Sequence, residues 1–101
     1  MNIPKITTIL DESKTLHDEL KLKLHLGSAE VKSELEGLES TLTTLKSKVA
    51  KIADVAGDSA KELSTAAELG FTGESKEDVS VALELAANEI KESYKKIQKL
   101  I

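Results

Sequence analysis

The eight residues Leu20 to Gly27, LKLKLHLG, decide the fold class of this chain. Leucine alternates there with lysine or histidine, which is the period-2 pattern of a half-buried β-strand. A helical reading fits better. Nothing else in the sequence offers a β partner, an isolated strand leaves its backbone groups unpaired, and leucine and lysine are both good helix formers. Leu20 and Leu24 also continue, in phase, an apolar stripe begun by Ile6, Ile9, Leu10 and Leu16 that spans roughly 120° of a helical wheel. Leu22 and Leu26 fall outside it. They project from nearly the opposite side and require a second cover, either a returning helix of the same chain or a partner, so Leu22, Leu26 and the intervening His25 form the candidate partner interface.

Working outward, Asn2 and Pro4 suit a helix start, because asparagine caps and proline is preset for a first turn. The first helix is expected over residues 4–26. Gly27 suits the position after a helix, and Ser28 the cap of the next, with Glu30 in its first turn. Val31, Leu35, Leu38, Leu42, Leu45, Val49, Ile52 and Ala56 then alternate steps of four and three, a heptad seam that predicts a helix over 28–56. Gly37 lies off this seam and opposes it by about 1 kcal/mol of helix propensity, and Thr41, Thr43 and Thr44 by roughly 0.5 kcal/mol each, so packing has to supply the difference. Ser59, Leu63 and Ala66 keep the same register, which would let the helix run on to Leu69. A break near Gly57 is nonetheless expected, since Ser59 with Glu62 makes a capping box and continuity would stack Asp54, Asp58 and Glu62 as a repulsive ladder. GFTGE, residues 70–74, is a loop by composition, and Ser75 with Asp78 starts a last helix expected over 75–101.

The expectation is one all-α domain over residues 1–101, an up-and-down bundle of three long helices and a short one near 59–69, assembled singly or as a dimer. Acid-first and base-last charge runs on the second and last helices favour antiparallel packing between them, as the helix dipole also favours within each. Two copies of the second helix packed antiparallel likewise oppose Glu34 to Lys48.

The composition narrows function more by exclusion than by sign. Of 101 residues only Phe71 and Tyr94 are aromatic, there is no cysteine, the formal charge is −4, and all 14 basic residues are lysine. Cysteine chemistry is excluded, and a phosphate backbone is a poor partner without clustered bases or the arginine fork, so no nucleic acid is expected. Apolar runs never exceed three residues, which excludes a spanning segment, makes a membrane partner unexpected, and leaves a cytoplasmic protein, or one exported without a cleaved signal. His17 and His25 stand eight apart, about 12 Å along one helix, too far to share a metal. His17, flanked by Asp18 and Glu19, is read as part of a solvated charged turn. No EF-hand spacing, Glu-x-x-His pair, phosphate loop or nucleophile elbow occurs, so no catalytic residue, metal or cofactor is assigned.

KELSTAAELGF followed by VSVALELAANEI faintly resembles a ubiquitin-associated domain over the C-terminal 40 or so residues. Ala82 and Leu83 lie about three residues too far from Phe71 for that pattern, and a looped Phe71 capping an aliphatic core accounts for the same residues. The chain is also similar in length and acidity to the small secreted helical hairpins with a Trp-x-Gly turn, but it has no tryptophan, and Gly37 lies inside the clearest helix. The functional expectation is a noncatalytic helical protein–protein interaction module, an adaptor or homodimer binding another protein or itself. The alternatives are reversible lipid or apolar-surface binding by an amphipathic bundle and, by analogy alone, a small inhibitory or immunity-type protein.

Overall fold

The computed structural model describes residues 2–101. Helix α1 spans Ile3–Leu22, α2 Ala29–Ala53, α3 Ser59–Glu68 and α4 Lys76–Leu100, with a 3-10 turn at Leu24–Leu26. No strand occurs among the described residues, so the all-α reading of LKLKLHLG stands. The first helix is shorter than its expected span of 4–26. It stops at Leu22, where Lys23 N–H turns back to Leu20 O at 2.9 Å and the chain tightens through Leu26 and Gly27, whose N–H groups bond Lys23 O and Leu24 O. A Cβ at Gly27 would approach Val31 Cγ1 to 3.1 Å, a tight contact that the glycine avoids.

Local chemistry starts each helix. Asn2 Oδ1 accepts from Lys5 N–H at 3.3 Å, Ser28 Oγ from Val31 N–H at 3.2 Å, and Ser75 Oγ from Asp78 N–H at 3.3 Å, each satisfying a donor that the first turn leaves free. The break after α2 falls where expected but is organised differently. The helix ends at Ala53, three residues before Ala56, and Gly57 takes the left-handed φ of +99°. Asp58, not Ser59, is the cap. Its carboxylate accepts from Lys61 N–H at 3.1 Å while Glu62 Oε1 accepts from Gly57 N–H at 2.8 Å, so the box is displaced by one residue toward the N-terminus. α3 closes with Gly70 at φ +97° and Phe71 N–H bonded to Ala66 O at 2.8 Å, the six-to-one bond of a Schellman ending.

α1 and α4 run parallel. Lys5 pairs with Glu84 at 3.0 Å, Glu12 with Lys91, and His17 meets Tyr94, so contacts advance together along both helices. α2 runs opposite to both, with Asp11 near Lys46 and His17 near Glu39. The result is an up-down-up bundle measuring 47 × 20 × 18 Å, in which α3 packs on α2 and α4 near the end where α1 begins, here the lower end. Val31, Leu35, Leu42, Leu45, Val49 and Ile52 of the α2 seam are buried, but Leu38 is only half-buried and Ala56 lies outside the helix. Facing them are Ile6, Leu10 and Leu20 of α1 and Val79, Leu83, Ile90 and Ile97 of α4, with Ala66 closing the lower end and Phe71 half-buried against this core. No helix among the described residues is long and apolar enough to cross a membrane.

Candidate functional site

The leucines of LKLKLHLG part company as their phases require. Leu20 is buried and Leu24 packs half-buried against the core, whereas Leu22 is 81% exposed and Leu26 60% exposed. No other described part of the chain covers them. His25 is exposed on the 3-10 turn between Leu24 and Leu26. Because α1 and α4 are parallel, with paired residues 77 to 79 apart, the exposed Leu100 lies level with Leu22 at the same upper end. Lys21, Lys23 and Lys99 neighbour these leucines in sequence, so the upper end combines apolar tips with positive charge. Among the described residues the other large exposed apolar side chains are Val81 and Leu85, one turn apart on α4.

His17 corrects the sequence reading. It is not part of a solvated turn but 2% exposed, facing Tyr94, which has no exposed surface. The Tyr94 hydroxyl lies 3.2 Å from His17 Nδ1, with the rings edge to face at a centroid distance of 5.7 Å. Glu39 Oε2 approaches His17 Nε2 at 3.6 Å, beyond hydrogen-bond range, and Nε2 has no hydrogen-bond partner among the described residues. The arrangement is best satisfied when Tyr94 donates to Nδ1, because the ring proton then sits on Nε2 toward the Glu39 carboxylate and not on the side where a lone pair would face it. One turn earlier Ser13 is also buried, its hydroxyl donating to Ile9 O at 2.9 Å. The signal for this cluster was present. Ile6, Leu10, Ser13, His17, Leu20 and Leu24 step 4, 3, 4, 3, 4 like the seam of α2, so His17 is in phase with the core despite its charged neighbours.

Burial also shapes the Tyr94 hydroxyl, whose pKa desolvation and, secondarily, the negative charges of Glu39 and Asp18 push up to about 12. It is therefore a neutral hydrogen-bonding group at physiological pH. His17, closed off from solvent, and Tyr94 tie α1 to α4, with Glu39 of α2 beside them. Glu62, the other buried ionisable residue, is likewise engaged in structure. Its Oε1 ties Gly57, and its Oε2 lies 3.6 Å from Lys76 Nζ, linking the break after α2 to the first turn of α4.

A concavity remains on the side of α2 and α4 away from α1. Above Phe71, over which Lys48 Nζ sits 5.5 Å from the ring centre, it opens to about 440 Å³ and is floored by Leu38, Leu45 and Ile90. No group of three or more metal-ligating side chains converges among the described residues. No family model, curated protein or solved structure matches this chain.

Proposed function

We propose that this chain is a noncatalytic helical protein–protein interaction module that contacts its partner through the upper end, with Leu22 and Leu26 as anchors and His25 between them. The observation that supports it is the exposure of these two leucines in a bundle whose core closes without them. Each leucine that moves fully from water into a partner contributes roughly 1.5–3 kcal/mol, so the pair is enough to anchor a small contact. The deep burial of His17 and Tyr94 favours the noncatalytic reading, and the cytoplasm stays the expected compartment. The test is affinity capture from the source cells with wild type and with Leu22→Lys/Leu26→Lys. Both positions are exposed, so the double variant keeps its helicity. A protein retained by wild type and lost by the variant supports the assignment, and equal recovery on both refutes it.

The placement of Lys21 and Lys23 beside the leucines favours a second reading, reversible docking on an anionic apolar surface. Co-sedimentation with anionic and neutral vesicles separates the two. Binding to anionic vesicles that the same double variant loses favours the lipid reading, and absence of binding to either vesicle removes it.

A further inference from the structure

The uncovered face between α2 and α4 carries an inference independent of the leucine end. α3 and Phe71 fill only the lower part of the groove between these antiparallel helices. Above them the hollow floored by Leu38, Leu45 and Ile90 continues into a second of about 410 Å³, and Leu38, Thr41 and Ser93 line both. Leu38 is the one buried-phase member of the α2 seam inside the helix that its own chain leaves half-exposed. Gly37, Thr41 and Ser93 are small, which lets another helix approach closely.

We propose that a second copy of this chain docks on this face in antiparallel orientation, about a two-fold axis that passes near Thr41 and Ser93, so that α2, α4 and their mates form a four-helix assembly. Charge selects the partner. Glu34 of α2 and Lys96 of α4 line the upper part of the groove, and Lys48 of α2 and Glu89 of α4 the lower part, so unlike charges alternate around its rim. None of the four takes part in an ion pair among the described residues. Thr41 lies midway between Glu34 and Lys48, and Ser93 lies between Glu89 and Lys96. A two-fold axis across the helices at that level therefore sets Glu34 against the second copy's Lys48 and Lys96 against the second copy's Glu89, each pair occurring twice.

Shape selects the direction. A parallel dimer brings the two α3 helices together at one end, where they collide. The antiparallel operation instead carries the second copy's α3 to the upper end, where Val31, Glu34 and the exposed Leu100 line a further hollow of about 290 Å³. The 47 × 20 Å side of the bundle is ample for the roughly 800 Å² that each partner contributes to a standard interface.

Sedimentation equilibrium across the micromolar range tests this, with helicity measured by circular dichroism for every variant. Wild type is expected to approach twice its 10.9 kDa chain mass. Thr41→Arg, at an exposed position and toward a better helix former, is expected to remain helical and become monomeric. Glu34→Lys weakens association by about tenfold or more, Lys48→Glu added to it restores association, and Lys96→Glu added instead does not. Leu22→Lys/Leu26→Lys leaves the dimer intact. The proposal is overturned by a wild type that stays at 10.9 kDa throughout, by a helical Thr41→Arg that still dimerises, by rescue through Lys96→Glu in place of Lys48→Glu, or by loss of the dimer in the double leucine variant.

Discussion

Replacing Tyr94 by phenylalanine removes a single oxygen from the core and isolates the pairing with His17. Tyr94 and His17 are both buried, the hydroxyl lies 3.2 Å from Nδ1, and Nε2 has no hydrogen-bond partner of its own. Tyr94→Phe therefore leaves both ring nitrogens of His17 unpaired in the interior while the aromatic ring keeps its packing. A buried polar group deprived of its partner costs about 1–3 kcal/mol, a large part of the roughly 5–15 kcal/mol that holds a domain together. His17→Leu alone strands the tyrosyl hydroxyl and is expected to cost a similar amount. The double variant removes both polar groups together, and replacing both partners by apolar groups is nearly neutral. The cycle should thus close with a coupling of about 2–6 kcal/mol, the double variant being more stable than the sum of the singles predicts. Urea unfolding at neutral pH, with the slope checked for constancy, measures each corner at equal protein concentration. A Tyr94→Phe protein within about 0.3 kcal/mol of wild type, or a double variant that loses the sum of the two single effects, would refute the pairing as an energetic contact.

The same tyrosine sets an alkaline limit. Its folded pKa of about 12 lies above the ordinary value of 10.0, so the folded state holds the proton more tightly than the unfolded chain. The resulting stability is complete below pH 10 and is lost as pH rises toward 12, by roughly 3 kcal/mol at most, whereas Tyr94→Phe should lack this component in parallel unfolding titrations. Two glycines should respond with opposite sign in thermal unfolding. Neither has an atom within 4 Å of an added Cβ, but Gly37 is helical and, at dilution where the chain is monomeric, Gly37→Ala should gain roughly 0.5–1 kcal/mol. Gly57→Ala must hold alanine at φ +99° and should lose about 1–2 kcal/mol. Asp58→Ala, which deletes the α3 cap, should cost about 1 kcal/mol in the same assay, while Ser59→Ala costs little.

What the sequence disclosed follows the range of the interactions responsible. The 4-3 spacing of α2 and the caps at Asn2, Ser28 and Ser75 depend on residues within a turn or two of one another, and each was legible. The break at Gly57 was legible as well, but its cap was misplaced. Ser59 and Asp58 are both good capping residues, and the choice between them depends on where Gly57 turns the chain and on Glu62 being drawn inward toward Lys76 of the next long helix. Leu22 and Leu26 are out of phase in the sequence, yet phase alone does not say whether another helix of the same chain returns to cover them. In the folded chain they remain exposed at the end of α1 and the 3-10 turn that follows. His17 was obscured by its neighbours Asp18 and Glu19, although a helix places consecutive residues about 100° apart and their charge says nothing of the direction His17 takes.

The buried polar pair also answers a question that the aliphatic seams leave open, namely which register α1 and α4 adopt. A heptad repeat of leucine, isoleucine and valine packs almost as well after a slip of seven residues along either helix. Such a slip moves Ala87 or Ile101 into the place of Tyr94, and His17 Nδ1 then faces a methyl group while the tyrosyl hydroxyl is carried off to an apolar neighbour. Two buried polar groups lose their partner at once, which at about 1–3 kcal/mol each outweighs what an alternative packing of similar leucines gains. The ion pairs Lys5–Glu84 and Glu12–Lys91 fall out of step in the same slip, but they are at the surface and contribute little by themselves. Register control by His17 and Tyr94 bears directly on the outer face, because the positions of Glu89 and Lys96 opposite Glu34 and Lys48 follow from where α4 stops sliding. A His17→Leu/Tyr94→Phe protein that is as stable as wild type but no longer dimerises would show the core pair specifying the surface by alignment and not by strength.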